Sequence, residues 1–249
     1  MKRFLGRAPA GALLAAAWAA ALPVAASADT LAKVAASNRM TLAYREYSVP
    51  FSYLEGPGQP IGLTVELSNA IAAEVKKRLG KPDLRIDLMA VSGQNRIPLL
   101  ANGTIDLECG STTNTAARAR EVAFSINYFY AGTRLMVRKD SGIRDYADLQ
   151  GRRLATPIGT TNLLVMRRYS ETHKLDLEIV PVKDHAEALL LLESGRVAAY
   201  ASDDVILYGA RSTSKNPQAL DIVGEALQVE PYACMVRKDD PAFKALVDG

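Results

Sequence analysis

The sequence has 249 residues, of which 49% are hydrophobic and 23% are charged, a composition typical of globular proteins and not of disordered or collagen-like chains. The formal net charge of +3 matches Lys2, Arg3 and Arg7, which stand in a leading segment without acidic residues, so the rest of the chain is neutral. A neutral chain lacks the basic excess that proteins use to bind nucleic acid, and a single apolar stretch at the N-terminus argues against an integral membrane protein.

The N-terminal segment, residues 1–28, predicts a secretory signal peptide that is cleaved after Ala28. Its basic residues are followed by an Ala- and Leu-rich run at 10–21 and by the small-x-small pattern Ala26-Ser27-Ala28. The alternative is an uncleaved membrane anchor, which the short run and the cleavage pattern disfavour. We therefore expect an exported protein in the periplasm.

The first half of the mature chain alternates between the hydrophobic patterns of strands and helices. Extended segments at 41–45 and 49–53 are followed by a helix over 66–79, a strand over 84–88, a helix over 94–101 and a strand over 105–109. This order predicts a mostly parallel sheet with helices on its faces.

The second half repeats this alternation without repeating the sequence. The pattern predicts strands over 133–137, 153–156, 178–182, 197–201 and 232–236, and helices over 145–149, 159–170, 184–193 and 206–211. Two α/β lobes joined by strand-like crossovers fit this pattern better than two domains on a flexible linker.

Polar residues follow many of the predicted strands, where open α/β sheets bind their ligands. The candidates are Arg45, Ser92, Arg96, Ser111, Thr112, Thr113, Arg118, Thr160, Thr161, His185 and Asp203. The runs Gly110–Thr113 and Gly159–Thr161 are candidate anion sites, although a Ser or Thr there is also an ordinary helix cap. Two scattered histidines and two cysteines without a C-x-x-C spacing predict neither a metal site nor a cofactor.

The charges of these candidates predict the kind of ligand. Together they supply three guanidinium groups, one imidazole and one carboxylate, and burying such an excess of positive charge unpaired is costly. A partner with two anionic groups and one cationic group, such as a dicarboxylic amino acid, would balance it. The alternative is that each arginine is a solvated surface side chain.

Several stretches carry a resemblance to a known family, and they run through nearly the whole mature chain. They are 45–46, 48–53, 94–100, 106–114 with Arg118, 183–185, 192–196 and 237–241. On these stretches the chain resembles the periplasmic amino-acid-binding proteins of ABC importers, solute-binding protein family 3, and most of all their glutamate/aspartate-binding branch.

The resemblance implies a two-lobe periplasmic-binding-protein fold, in which each lobe is a mostly parallel sheet flanked by helices and the hinge has two strands. Lobe 1 would contain 29–130 and 230–249, lobe 2 would contain 131–229, and the crossovers would lie at 128–133 and 225–231. Family members usually continue past the position of Gly249, so the C-terminal part of lobe 1 is expected to be incomplete. The expected partner proteins are an inner-membrane ABC permease and no second copy of the chain.

The resemblance also implies a role for each site residue in binding L-glutamate or L-aspartate. The α-carboxylate would be held by Arg118, Thr113 and Thr161, the α-ammonium by Asp203 and Ser111, and the side-chain carboxylate by Arg45, Arg96 and His185. Gly93 stands where this branch usually has a ligand-binding serine, and Ser92 is a candidate substitute. A protonated His185 would donate from both ring nitrogens, so affinity is not expected to improve between pH 6 and 8.

In this fold Cys109 ends a strand of lobe 1 and Cys234 lies where the chain returns to that lobe. We therefore expect a disulfide between them, with two buried free thiols as the alternative.

We do not expect an enzyme, and two other functions are kept as the less favoured alternatives. The first is a periplasmic dehydratase-like enzyme that acts on a dicarboxylate, for which Glu46 and Glu108 are the candidate acid–base groups. The second is a sensor domain that serves a kinase.

Overall fold

The computed structural model describes residues 29–249, so the predicted signal peptide and its cleavage site lie outside the described residues. The helices are α1 (Thr30–Ser37), α2 (Leu63–Leu79), α3 (Arg96–Ala101), α4 (Thr161–His173), α5 (His185–Glu193), α6 (Asp204–Thr213) and α7 (Pro241–Asp248). The strands are β1 (Arg39–Tyr44), β2 (Tyr47–Ser48), β3 (Ser52–Gly56), β4 (Gln59–Ile61), β5 (Arg85–Ala90), β6 (Leu107–Glu108), β7 (Val122–Arg138), β8 (Arg153–Pro157), β9 (Glu178–Val182), β10 (Ala199–Asp203), β11 (Leu220–Val223) and β12 (Val229–Arg237).

Nine of these strands form one sheet in the order β5-β1-β6-β12-β7-β10-β8-β9, with β11 also paired to β7. We call the part built on β1, β5 and β6 lobe 1, and the part built on β8 to β11 lobe 2. The two-lobe α/β fold is confirmed. The outer strands are parallel in both lobes, since β1 pairs with β5 and β6 and β8 pairs with β9 and β10.

The centre of the sheet is antiparallel, so the sheet as a whole is mixed. β12 runs antiparallel to β6 and β7, and β7 runs antiparallel to β10 and β11. These central strands are the antiparallel part of lobes whose outer strands are parallel. The physical reason is that β7 and β12 carry the chain between the lobes in opposite directions.

The crossovers are parts of two long strands. β7 has 17 residues and β12 has 9, and they pair from Val229 opposite Gly132 to Arg237 opposite Val122. The predicted strands over 133–137 and 232–236 are segments of these longer strands. The two lobes are therefore connected by a pair of strands that belongs to both of them.

Each lobe has its own hydrophobic core. In lobe 1 the strands and helices α1, α2 and α7 bury Val34, Met40, Leu42, Val75 and Phe243, among others. In lobe 2 the core includes Met136, Leu192, Tyr200 and Leu207. Within residues 29–249 no helix is long and apolar enough to cross a membrane.

The predicted disulfide is confirmed. Cys109 and Cys234 are bonded to each other in the core of lobe 1, and they are separated by 125 positions in the sequence. Neither cysteine is free, which excludes the alternative of two buried thiols. The bond ties the segment after β6 to β12, next to the crossover.

Candidate functional site

A small cavity lies between the two lobes, at the ends of the strands where ligand sites were expected. Its walls come from both lobes: Arg45, Arg96, Ser111, Thr113, Thr160, Thr161, Asn162, His185 and Asp203. The structure thus brings together every candidate binding residue except Ser92, Thr112 and Arg118. Asn162, the second residue of α4, was not predicted.

Ser92 is placed outside this cavity. It lines a neighbouring pocket with Arg45 and Asp184. Its Oγ accepts hydrogen bonds from the main-chain N–H groups of Gln94 and Asn95, each at 3.3 Å. Ser92 therefore caps the turn before α3.

Arg118 lies at the border of the cavity and joins the two lobes. Its Nη1 donates to the main-chain oxygen of Thr113 at 2.9 Å, and its Nη2 donates to that of Gly159 at 3.0 Å. Burial, followed by the positive charge of Arg96, lowers the pKa of Arg118 to about 10. The group stays charged near neutral pH, and it sits beside Thr161 in the groove that runs along α4.

Arg96 is almost fully buried, with 2% of its surface exposed. Its Nη1 donates to Thr112 Oγ1 at 2.5 Å, and that hydroxyl in turn donates to Glu108 Oε2 at 2.8 Å. The Nε of Arg96 is buried and has no hydrogen-bond partner among residues 29–249. A buried donor of this kind calls for an acceptor.

Glu108 is a fully buried carboxylate behind the cavity. Both of its oxygens lie within hydrogen-bond distance of the Thr112 hydroxyl, and its negative charge acts on Arg45. A Cβ at Gly110 would lie 2.7 Å from Glu108 Oε1, so the glycine leaves the space that this carboxylate fills. Glu108 serves as a counter-charge for the arginines.

His185 is neutral in this environment. Burial, followed by the positive charges of Arg45 and Arg96, lowers the pKa of His185 to about 3. Its Nδ1 lies 2.7 Å from the hydroxyl of Tyr200, which leaves Nε2 for a ligand. The expectation of a protonated imidazole that donates from both nitrogens is therefore wrong for this arrangement.

Asp203 is buried at the end of β10 and accepts two hydrogen bonds. Asn162 Nδ2 donates to its Oδ1 at 2.7 Å, and the hydroxyl of Tyr232 donates to its Oδ2. Burial, followed by the negative charge of Glu230, raises the pKa of Asp203 to about 7. The carboxyl group is thus poised to ionise when a cation approaches.

Glu230 is a second fully buried glutamate near the cavity, after Glu108, and it was not predicted from the sequence. From the sequence, Asp203 was the only carboxylate expected near the three arginines of the cleft. The structure places two more carboxylates there, Glu108 and Glu230. The protein itself therefore neutralises most of the positive charge of the cleft. Alternation along β12 was the available signal, because it places Glu230 on the same buried face as Tyr232, Cys234 and Val236.

The lobes approach each other closely at Gly93. A Cβ at this position would lie 2.5 Å from the main-chain oxygen of Ile158, and a Cβ at Gly159 would lie 2.4 Å from the main-chain oxygen of Gly93. No side chain fits at either place in this arrangement. The absence of a serine at position 93 thus removes a hydroxyl group and allows main chain to pack against main chain.

The described residues contain no cluster of three or more His, Cys, Asp or Glu side chains that could hold a metal ion. What the cavity offers is a set of hydrogen-bond donors and charges, with guanidinium groups on one side and a carboxyl group on the other. Such an arrangement is suited to holding a small zwitterion with an additional anionic group.

Comparisons with known proteins point in the same direction. The pattern that defines the bacterial extracellular solute-binding proteins, family 3, matches residues 40–249. The chain is 43% identical to the glutamate/aspartate import solute-binding protein of Escherichia coli (strain K12), over 97% of this chain and 82% of that one. It is 42% identical to the L-glutamate/L-aspartate-binding protein of Pseudomonas aeruginosa, over 88% and 73%.

Solved structures with a similar fold are also binding proteins. The arginine-bound form of truncated ArgBP from T. maritima superposes with a TM-score of 0.75 at 28% identity, covering 87% of this chain and 96% of that one. A periplasmic binding protein from Brucella ovis with glutathione bound superposes with a TM-score of 0.79 at 26% identity, covering 89% and 69%.

Proposed function

The chain belongs to family 3 of the bacterial extracellular solute-binding proteins, and from that premise we propose that it binds L-glutamate or L-aspartate between its lobes and delivers it to an inner-membrane ABC permease. Relatives that are more than 40% identical over most of the chain carry glutamate and aspartate in their names. Their names describe import proteins and binding proteins, which supports transport over the dehydratase-like and sensor alternatives.

The observation that carries this proposal is the environment of Arg96. Its guanidinium group is buried at the cavity, and its Nε lacks a partner among the described residues. A carboxylate is the acceptor that matches a guanidinium group in charge and geometry. Arg45 and His185 line the same cavity, so this group of three would hold the side-chain carboxylate of the ligand.

The other end of the ligand would lie toward Arg118 and Asp203. Arg118, Thr113 and Thr161 would hold the α-carboxylate, while Asp203 and Ser111 would hold the α-ammonium group. Arg118 and Thr161 meet at the border between the lobes, and Asp203 faces the cavity from lobe 2. A ligand held in this way contacts both lobes and therefore favours the closed arrangement.

The proposal also includes the cellular location of the protein and the assignment of its residues to the two lobes. The predicted signal peptide would direct the protein to the periplasm, where it would act as a monomer. The hinge would separate lobe 1, at 29–130 and 230–249, from lobe 2, at 131–229.

Calorimetric titration with glutamate, aspartate and glutamine tests the proposed function. Glutamine replaces the second anion by a neutral amide, and hydrogen bonds to charged groups contribute about 1.5–3 kcal/mol. We therefore expect acidic ligands to bind at least about tenfold more tightly than glutamine. The substitution Arg96→Met should remove most of this preference.

Arg85→Met is the matched control, because Arg85 is an exposed arginine that pairs with Asp87 on the surface. It should bind all three amino acids as the unmodified protein does. Equal affinity of the unmodified protein for glutamine and glutamate would refute the assigned side-chain pocket.

A further inference from the structure

Glu230 is a buried carboxylate in the crossover strand β12 to which the proposed function assigns no role. It is fully buried, and all four of its close hydrogen bonds come from neutral donors. Its Oε2 accepts from the hydroxyl of Thr113 at 2.6 Å and from that of Thr161 at 2.7 Å. Its Oε1 accepts from the Thr133 hydroxyl and from Gln228 Nε2, each at 3.1 Å.

These donors come from different parts of the molecule. Thr113 belongs to lobe 1, Thr161 is the first residue of α4 in lobe 2, and Gln228 adjoins the crossover strand. Separation of the lobes would remove at least one hydroxyl from Glu230. The hydrogen bonds of Glu230 are therefore complete only when the cleft is closed. Opening the cleft takes a donor away from a buried carboxylate and destabilises it.

The arrangement also restricts what the two threonines can offer to a ligand. A hydroxyl group has one proton, so a threonine that donates to Glu230 cannot donate to a ligand carboxylate at the same time. The main-chain N–H groups remain as donors.

The main-chain N–H groups are placed for that role. Thr113 lies opposite Tyr232, and the flanking bonds run from Asn114 N to Pro231 O and from Ala233 N to Thr112 O, so the Thr113 N–H points away from β12. The N–H of Thr161 belongs to the first turn of α4, where no intrahelical acceptor exists.

We propose that Glu230 is a positioning residue that couples closure of the cleft to the crossover: it takes the hydroxyl protons of Thr113 and Thr161, so that these residues meet the ligand α-carboxylate with their main-chain N–H groups. This inference rests on the proposed function, since it concerns the same ligand. Glu230 does not contact the ligand and acts through the two threonines.

The charge of Glu230 also acts on Asp203. The pH dependence of ligand affinity therefore reports on Glu230, whereas the loss of a purely structural residue would not shift it. The titratable groups that face Asp203 are Glu230 and Tyr232 from β12, Asp204 from the start of α6, and Arg118 from lobe 1. Removal of the Glu230 charge lowers the pKa of Asp203. The pH at which ligand affinity is half-maximal should therefore move to a lower value.

A double-mutant cycle with Glu230→Gln and Thr161→Val tests the proposal by titration with L-glutamate. Both substitutions are nearly isosteric, and circular dichroism checks that each variant is folded. We expect each single substitution to weaken binding by about tenfold, and the double substitution to weaken it by the same factor, because both remove one interaction. The pH profile of Glu230→Gln should also be shifted downward.

Glu178→Gln is the control, because it makes the same change at an exposed carboxylate of lobe 2 that pairs with Arg153 on the surface. It should leave both the affinity and the pH profile unchanged. A hundredfold loss in the double variant would overturn the proposal, since the Thr161 hydroxyl would then act on the ligand independently of Glu230. An unshifted pH profile of ligand affinity in Glu230→Gln would also overturn the proposal. Absence of glutamate binding by the unmodified protein would refute the proposed function instead.

Discussion

Asp203 determines how ligand affinity should depend on pH. Its pKa of about 7 means that the carboxyl group is partly protonated near neutral pH, whereas a ligand ammonium group requires the ionised form. Binding below that pH therefore releases a proton, and affinity increases as the pH rises. Between pH 6 and pH 8 we expect a gain of about tenfold in glutamate affinity, measured by calorimetry.

This direction is opposite to the one that a protonated His185 would give. His185 has its pKa lowered to about 3 and does not titrate between pH 6 and 8. Titrations in two buffers of different ionisation enthalpy measure the released proton directly. A flat affinity profile with no proton release would contradict the assignment of Asp203 to the ammonium group.

Site residues that directly follow a strand can be predicted from the sequence. Residues whose role depends on partners far away in the chain cannot. Arg45, Thr113 and Asp203 each come close after a strand or end one, so their place in the cleft is readable from the order of the elements. Glu230 bonds to a hydroxyl 117 positions away, and no local pattern reveals that partner. The same holds for the neutral state of His185, which results from burial and from the charges of two distant arginines.

The disulfide links two secondary-structure elements, because it joins the segment after β6 to β12. Both cysteines are buried in the core of lobe 1. Closing a loop of 125 positions restricts the unfolded chain, which corresponds to about 5 kcal/mol of stability by chain entropy. We expect the double substitution Cys109→Ala, Cys234→Ala to lower the free energy of unfolding in urea by roughly that amount.

Reduction provides the control for this measurement. The unmodified protein unfolded in the presence of a thiol reductant should match the double variant, and the reductant should not change the double variant further. An unchanged urea midpoint in the double variant would show that the bond contributes nothing to stability.

Among the secondary-structure elements, the amphipathic helices are predicted best from the sequence. The pattern places α2, α4 and α5 within a few residues of their observed bounds. It finds only the last third of β7. The rest of that strand has no regular alternation of buried and exposed residues, and it is held by pairing with β12, which follows about a hundred residues later. The short elements α1 and β11 carry too few residues for a period to be recognised.

Closure of the lobes, which the proposed function requires, concerns the whole molecule, and Gly209 lies at a place where the two lobes meet. A Cβ at Gly209 would lie 2.2 Å from the main-chain oxygen of Val49 in the opposite lobe. The substitution Gly209→Ala should therefore hold the lobes apart. In small-angle scattering, glutamate should reduce the radius of gyration of the unmodified protein and reduce that of the variant less.

Gly56→Ala is the matched control for this experiment, because the nearest atom to an added Cβ there is 3.6 Å away. It should contract with glutamate as the unmodified protein does. Identical contraction of Gly209→Ala would mean that the lobes meet elsewhere in the ligand-bound protein.

One contact in lobe 1 joins residues from opposite ends of the described chain. The carboxylate of Asp240 accepts hydrogen bonds from the main-chain N–H and the hydroxyl of Thr30, at 2.8 and 2.5 Å, across 210 positions. Lobe 1 thus becomes complete only after β12 and α7 have been made, whereas the segments of lobe 2 follow one another without interruption. Because distant contacts form slowly, we expect lobe 2 to acquire protection from hydrogen exchange first during refolding, and lobe 1 to set the overall rate. For the export to the periplasm that we propose, a lobe 1 that closes late would leave the chain more time in an unfolded state.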